Sequence, residues 1–157
     1  MKNIALLAVL LFSAVVLFAN VTMNYSLETP KIETKEQFTK VTLEKAQSWG
    51  QPGNPDLPWF GVKLLLPAGF EAEKIVVNRY NPVTYTLDKP IIPIQKSYPF
   101  SHTKIETPEK PNLEIYDSPL PYPQITDNGL NTSFMCGQPI AFSAISPFAY
   151  YPLTNEL

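Results

Sequence analysis

The stretch GQPGNPDLPWFGVKLLLPAG, residues 50–69, contains the clearest signals for the fold. Gly50 and Gly53 lie on either side of Pro52, and Gly53 is followed by Asn54-Pro55. We therefore expect a turn whose backbone requires glycine. The residues from Trp59 to position 66 are mostly apolar, and the Pro-Ala-Gly at 67–69 that follows them has turn chemistry. The stretch therefore predicts a turn, a core strand that starts near Leu57 and Trp59, and a second turn.

Further strands are predicted on both sides of this stretch. The apolar pattern within 33–49 fits a strand, with residues 39–43 alternating, about as well as a helix, and we interpret the segment as a strand. Strict alternation of Val83, Tyr85 and Leu87 predicts a strand with one face on a core. Residues 73–80 and 83–87 are expected to be antiparallel neighbours. Strands are also predicted at 130–136 and 140–151.

Proline is the most informative residue type in the composition. The chain has 17 prolines and six glycines, which argues against long helices because an internal proline removes a donor and clashes with the preceding turn. Eight of the prolines lie between Pro90 and Pro123. We interpret this segment as an extended meander that packs over a sheet through its isoleucines, Leu113 and Tyr116. The expected fold is mainly β, an antiparallel β-sandwich-like domain.

The N-terminus has the layout of a secretory signal peptide. Lys2 precedes an apolar run from Ile4 to Ala19 that is shorter than the roughly 20 residues a membrane-spanning helix needs. We predict a signal-peptide helix at 1–19 with cleavage after Ala19, a lead-in at 20–37 and a β-rich domain at 38–157. An uncleaved signal anchor is the alternative. The protein is expected to be exported to the periplasm, the cell surface or the medium.

Charge and side-chain chemistry exclude several function classes. The formal net charge is −2, without basic runs, so nucleic acid and a membrane surface after signal cleavage are poor partners. Cys136 is the only cysteine and His102 the only histidine. Without supporting residues they predict neither a catalytic dyad nor a zinc site, so we expect no catalytic residue, metal or cofactor. Cys136 is interpreted as a small buried apolar residue, with an intermolecular disulfide or a reactive thiol as alternatives.

The order of these motifs resembles the prodomain of gingipain-type cysteine peptidases. The Gly-rich turn, the Leu-Pro before the strand and the Pro-Ala-Gly after it match that prodomain, as do the following strand at 76–80 and the Pro-Ile-Ile-Pro-Ile segment at 90–94. The Ile-Ser-Pro-Phe-Ala-Tyr-Tyr-Pro segment at 145–152 looks like the closing strand of the family. The resemblance covers roughly residues 38–152.

The resemblance implies a domain that assists folding of a caspase-like peptidase domain and keeps it latent until proteolysis. The catalytic residues of the family belong to the peptidase domain, which this chain lacks, so the expected partner is a downstream or cognate cysteine peptidase domain. We also expect the chain, which ends at Leu157, to be a truncated precursor. Some prodomains of the family present a basic side chain to the specificity pocket of the peptidase. The best candidates here are Lys104 and Lys110 in the stiff, proline-bounded segment 97–111.

Two other classes of function remain open at this stage. One is a free-standing β module that binds carbohydrate or protein through aromatic side chains, although core packing is the favoured explanation of those aromatics. The other is a structural protein of the cell envelope. The aromatics in question are Trp59, Tyr98, Tyr116, Tyr122, Tyr150 and Tyr151.

Overall fold

The computed structural model describes residues 20–99, 101 and 107–157. In these residues the chain forms six strands and one short helix. The elements are β1 (Lys31–Lys35), β2 (Phe38–Thr42), β3 (Ala46–Ser48), β4 (Pro58–Leu65), α1 (Leu113–Tyr116), β5 (Asn131–Met135) and β6 (Gln138–Ile145). All strand ladders are antiparallel, which confirms the prediction of a mainly-β fold. The predicted signal-peptide helix lies outside the described residues.

The first two strands form a hairpin of their own. In it Lys35 pairs with Phe38 and Lys31 with Thr42. Thr39 and Val41 of β2 are buried, whereas the side chains between them are exposed, as the alternation of this segment predicts. β1 lies within the predicted lead-in at 20–37, and its free edge carries charges at Lys31, Glu33 and Lys35.

The larger sheet has four strands in the order β3-β4-β6-β5. β4 lies within the stretch 50–69, and its start is buried as predicted: Leu57 is fully buried and Trp59 is 3% exposed. Each residue of β4 from Phe60 to Leu65 faces a residue of β6 from Ile145 to Ile140. β6 also pairs with β5, so it occupies an internal position in the sheet.

A compact core joins the smaller sheet to the middle and the end of the chain. Its buried members are Val41, Leu57, Leu87, Ile91, Tyr150 and Leu157, and half-buried Ile32, Tyr85, Tyr122 and Phe148 pack against them. Ile91 is fully buried beside Thr39 of β2, with which it forms a parallel bridge. The Pro-rich segment thus packs onto the domain near its start, through Ile91, as predicted for a meander. Leu113, by contrast, is 66% exposed and covers nothing.

The prediction of paired strands at 73–80 and 83–87 is wrong. Residues 73–80 form no strand, and Arg79 is held instead by the carbonyl oxygens of Ser146 and Phe148, at 2.8 and 3.2 Å. Tyr85 exchanges two backbone hydrogen bonds with Leu157, and the amide of Leu87 donates to the carbonyl of Asn155. The alternating segment 83–87 therefore pairs with residues 155–157.

The prediction that Cys136 is buried is also wrong. Cys136 is exposed and lies, with Gly137, in the two-residue turn between β5 and β6. Both turn residues have positive φ angles, 50° and 76°, which is the geometry that a type I′ hairpin turn requires. The apolar run 134–136 suggested a strand interior, but the strand ends at Met135 because the turn needs its two residues there.

Among the described residues no helix has the length and apolar character needed to span a membrane.

Candidate functional site

The Pro-rich segment leaves the domain after Ile94, and its two ends are held together by side chains. The side-chain amide of Gln95 accepts a hydrogen bond from the backbone amide of Glu109 at 2.8 Å and donates to the carbonyl of Pro93 at 2.9 Å. Next to it, the ammonium of Lys96 lies 2.7 Å from the carboxylate of Glu109. The Gln95–Glu109 contact joins residues 14 positions apart. We call Gln95, Lys96 and Glu109 the loop clamp.

Beyond the loop clamp the chain is fixed on the glycine turn. The amide of Asn112 donates to the carbonyl of Gly53 at 2.8 Å, and the Asn112 side chain donates to Asn54 at 3.2 Å. The Gly53 φ angle is 90°, and a Cβ atom there would lie 3.1 Å from the carbonyl oxygen of Lys110. Glycine is therefore needed at position 53 for both backbone conformation and close approach.

Of the two lysines predicted to block a peptidase, only Lys110 lies within the described residues. Lys110 is exposed and lies directly after the loop clamp, where the chain approaches Gly53. Lys104 and His102 lie outside the described residues. The role of both lysines stays a prediction.

A group of tyrosines, of which Tyr150 is buried and Tyr116 and Tyr122 are half-buried, supports the start of the Pro-rich segment. Tyr116 donates to the carbonyl of Ile91 at 2.6 Å, and the hydroxyl of Tyr150 accepts weakly from the Ile91 amide at 3.4 Å and donates to Asn155 at 2.9 Å. Burial raises the pKa of Tyr116 well above its ordinary value, with a further contribution from Tyr150 and Tyr122. Burial likewise raises the pKa values of Tyr122 and Tyr150. At neutral pH these hydroxyls are neutral and fix the path of the segment.

An open groove of about 550 Å³ lies between the glycine turn and the chain that follows α1. Trp49 and Trp59 pack edge to face on one side of it, with ring centroids 4.8 Å apart. Trp49 is 45% exposed, whereas Trp59 is buried and its indole N–H finds no acceptor among the described residues. Apolar side chains after α1 form the other wall, namely Leu120, Pro121, Tyr122, Pro123 and Ile125.

The aromatics considered for a contact surface do not form one together. Trp59 and Tyr150 belong to the interior, and Tyr116 and Tyr122 are half-buried, as core packing predicts. Tyr98 and Tyr151 are exposed. The alternative of an aromatic binding face that uses all six side chains is therefore wrong.

Sequence reasoning missed the loop clamp and the role of Asn112. The signal for Asn112 was present, because Asn is a preferred N-cap residue and is followed here by an acidic residue in the first turn, and the Asn112 side chain does accept from the Glu114 amide. No comparable signal exists for Gln95 and Glu109, which are far apart in sequence. Within the described ranges, no group of three or more His, Cys, Asp or Glu side chains is arranged to hold a metal ion.

No protein-family model matches the sequence of the chain, and no curated protein matches it either.

Comparison by structure finds similar proteins. One is gingipain K from Porphyromonas gingivalis, determined to understand its zymogenic latency, which is 21% identical with a TM-score of 0.70 over 84% of this chain and 76% of that chain. Another is the complex of the RgpB pro- and mature domains from the same organism, 14% identical, with a TM-score of 0.70 over 84% of this chain and 70% of that chain. At these identities the likeness concerns the fold, and the chain has the fold of a gingipain prodomain.

Proposed function

We propose that this chain is the prodomain of a secreted gingipain-like cysteine endopeptidase, where it assists folding and imposes latency. The observation that carries the proposal is the shared fold, which extends over 84% of the chain in both P. gingivalis structures. One of those structures concerns zymogenic latency, and the other is a complex of a prodomain with its mature domain. The partner of this chain is accordingly a cysteine peptidase domain, which supplies all the catalytic groups.

The loop clamp supports a role for residues 97–108 in inhibition. A segment whose ends are held by Gln95, Lys96 and Glu109 loses less conformational entropy when it docks than one with free ends. Lys104 and Lys110 are the cations that this segment and its exit offer to a pocket for basic side chains. One of them therefore blocks the specificity pocket of the peptidase.

The test is an inhibition assay with the peptidase domain of the same precursor and a peptide substrate cleaved after a basic residue. The wild-type chain is expected to inhibit, and the double variant Lys104→Ala, Lys110→Ala to inhibit at least tenfold less, about 1.4 kcal/mol of binding. Lys74→Ala is the matched control, because Lys74 is an exposed lysine outside this segment. Unchanged inhibition by the double variant removes the lysines from the mechanism, and absence of inhibition by the wild-type chain overturns the latency role.

We further propose that residues 1–19 direct export and are removed, which leaves a lead-in at 20–37 and the β-rich domain at 38–157. The proposal rests on Lys2 and the apolar run that follows it. N-terminal sequencing of the protein from the cell envelope or the medium is expected to start at Asn20. Retention of Met1 on an envelope-located protein would show a signal anchor instead.

A further inference from the structure

The free edge of β5 differs from the other sheet edges of the molecule. β5 is the last strand of the four-stranded sheet, and no described residue outside β6 forms a backbone hydrogen bond with it. Its sequence NTSFM carries no charge, and no charged residue occurs between Asp127 and Glu156. Unpaired edges normally carry charges, prolines or bulges that prevent pairing with another chain. β5 has none of these.

Other edges of the protein do have such protection. β1 has charged side chains at three of its five positions, and β3 is only three residues long and follows Glu44 and Lys45. Near the β5 edge, by contrast, Phe134 and Met135 are 65% and 66% exposed. Within the described residues, the β5 edge therefore lacks the protection that the other edges have.

Hairpin geometry identifies the backbone groups that face this edge. In a two-residue hairpin, the pair that closes the turn, here Met135 and Gln138, exchanges hydrogen bonds, and hydrogen-bonded pairs then alternate along the ladder. Ser133 with Ile140 and Asn131 with Phe142 are therefore also hydrogen-bonded pairs. The N–H and C=O groups of Thr132 and Phe134 consequently point away from β6, toward the open edge.

We propose that the β5 edge pairs, antiparallel, with the β5 edge of a second copy of this chain. A two-fold axis beside Ser133 places Thr132 of each copy opposite Phe134 of the other, so that both residues whose backbone groups are free find a hydrogen-bonded partner. Both edges are neutral, so no charge opposes the pairing. The arrangement joins two four-stranded sheets into one.

The side chains beside the axis fit such a continuous sheet. Ser133 pairs with Ile140, and Ile140 pairs with Leu65, so the three side chains form one row across the exposed sheet face. The two-fold axis continues this row into the same three residues of the second copy. Leu65, which is 65% exposed, thus becomes part of a stripe that crosses both copies. The assembly closes at two copies, because the remaining outer strands are the short β3 strands.

The register provides a direct test through cysteine cross-linking. Ser133 faces its own copy in a non-hydrogen-bonded pair, where Cα atoms lie about 4.5 Å apart, a distance that a disulfide can span. The double variant Ser133→Cys, Cys136→Ser is expected to form a covalent dimer under mild oxidation. The control Thr84→Cys, Cys136→Ser places a thiol at an exposed site outside the sheet and is expected to stay monomeric.

A second measurement keeps the test independent of thiol chemistry. Sedimentation of the exported wild-type protein over a range of concentrations is expected to show a monomer–dimer equilibrium. Ser133→Lys sets two like charges opposite each other and should weaken it about tenfold or more, whereas Thr84→Lys, with the same added charge, should leave it unchanged. Equal circular dichroism spectra establish that both variants fold.

A monomer at every concentration, or cross-linking at position 133 no faster than at position 84, would overturn the proposal. Protection of β5 from hydrogen exchange only in the presence of a peptidase domain would overturn it too, because the edge would then serve a different partner. The inhibition assay described above is separate from these measurements, so the failure of one proposal leaves the other standing.

Discussion

At the scale of single residues, the two tryptophans make different contributions to stability despite their contact. Trp59 is 3% exposed at the start of β4, and Trp49 is 45% exposed on the wall of the groove. Trp59→Ala is expected to lower the free energy of unfolding by about 3–5 kcal/mol, because it leaves a large cavity. Trp49→Ala, the control, should cost clearly less. Urea titrations of both variants measure the difference, and equal losses would contradict the assignment of Trp59 to the interior.

Gly53 allows a second comparison between matched variants. Gly53 and Gly69 have similar positive φ angles, 90° and 80°, but only at Gly53 would an added Cβ meet a neighbour, the carbonyl oxygen of Lys110 at 3.1 Å. Both alanine variants incur the backbone strain of about 1 kcal/mol. Gly53→Ala is expected to lose more stability than Gly69→Ala in thermal unfolding. Equal losses would show that the contact with Lys110 relaxes without cost.

Individual residues show which part of the site is visible in sequence. Gly53, Leu57 and Trp59 were predictable because turn chemistry and an apolar strand are local patterns. The exposure of Cys136 was not, because a free cysteine is among the most buried residue types and the turn is formed by Cys-Gly rather than Asn-Gly. The tendency of free cysteines to be buried therefore led to the wrong prediction for Cys136.

At the scale of elements, the loop clamp is expected to protect residues 97–108 from proteolysis. Gln95→Ala removes the acceptor for the Glu109 amide and a donor to the Pro93 carbonyl, so the base of the segment opens more often. A protease that cuts after aromatic residues has a site at Phe100, which is followed by Ser101, and should cleave the variant several-fold faster. Gln124→Ala, an exposed glutamine without such contacts, is the control. Equal cleavage rates would show that Lys96 and Glu109 hold the base without Gln95.

Elements were predictable where hydrogen-bonding neighbours are close in sequence or the apolar pattern is long. β2, β4, β5 and the first half of the predicted strand at 140–151 appear in the fold as strands. Residues 83–87 have the alternation of a strand, but their partner is the C-terminal segment 155–157. Alternation indicates that one face is buried and contains no information about which segment lies beside it.

At the scale of the whole molecule, the order of motifs along the chain was more informative than any single motif. Turn, Leu-Pro, strand and Pro-Ala-Gly led to a gingipain prodomain resemblance, and the TM-score of 0.70 to two P. gingivalis structures confirms that resemblance in the fold. Sequence identities of 21% and 14% leave few shared side chains. The residue proposed to block the peptidase is therefore not identified by its position alone, and the loop clamp suggests where to search for it.

The stability of the whole domain is expected to fall at alkaline pH because of three buried or half-buried tyrosines. Burial raises the pKa values of Tyr116, Tyr122 and Tyr150 in the folded state above 10.0, the value for an exposed tyrosine. Above about pH 10 the unfolded chain loses these protons while the folded chain keeps them. The unfolded state then binds fewer protons, so the free energy of unfolding decreases as pH rises, and the stabilisation is fully present below pH 10.

Variants separate this effect from general alkaline denaturation. Tyr116→Phe removes one buried titrating group, so its stability should fall less steeply between about pH 10 and pH 12, although loss of the hydrogen bond to Ile91 lowers its stability at neutral pH. Tyr80→Phe, at a tyrosine that is 78% exposed, is the control for the loss of a hydroxyl group. Urea midpoints measured at several pH values give both slopes. If the Tyr116→Phe slope equals that of the wild type, ionisation of Tyr116 does not drive the loss, because only a buried hydroxyl that titrates differently in the two states links folding to pH.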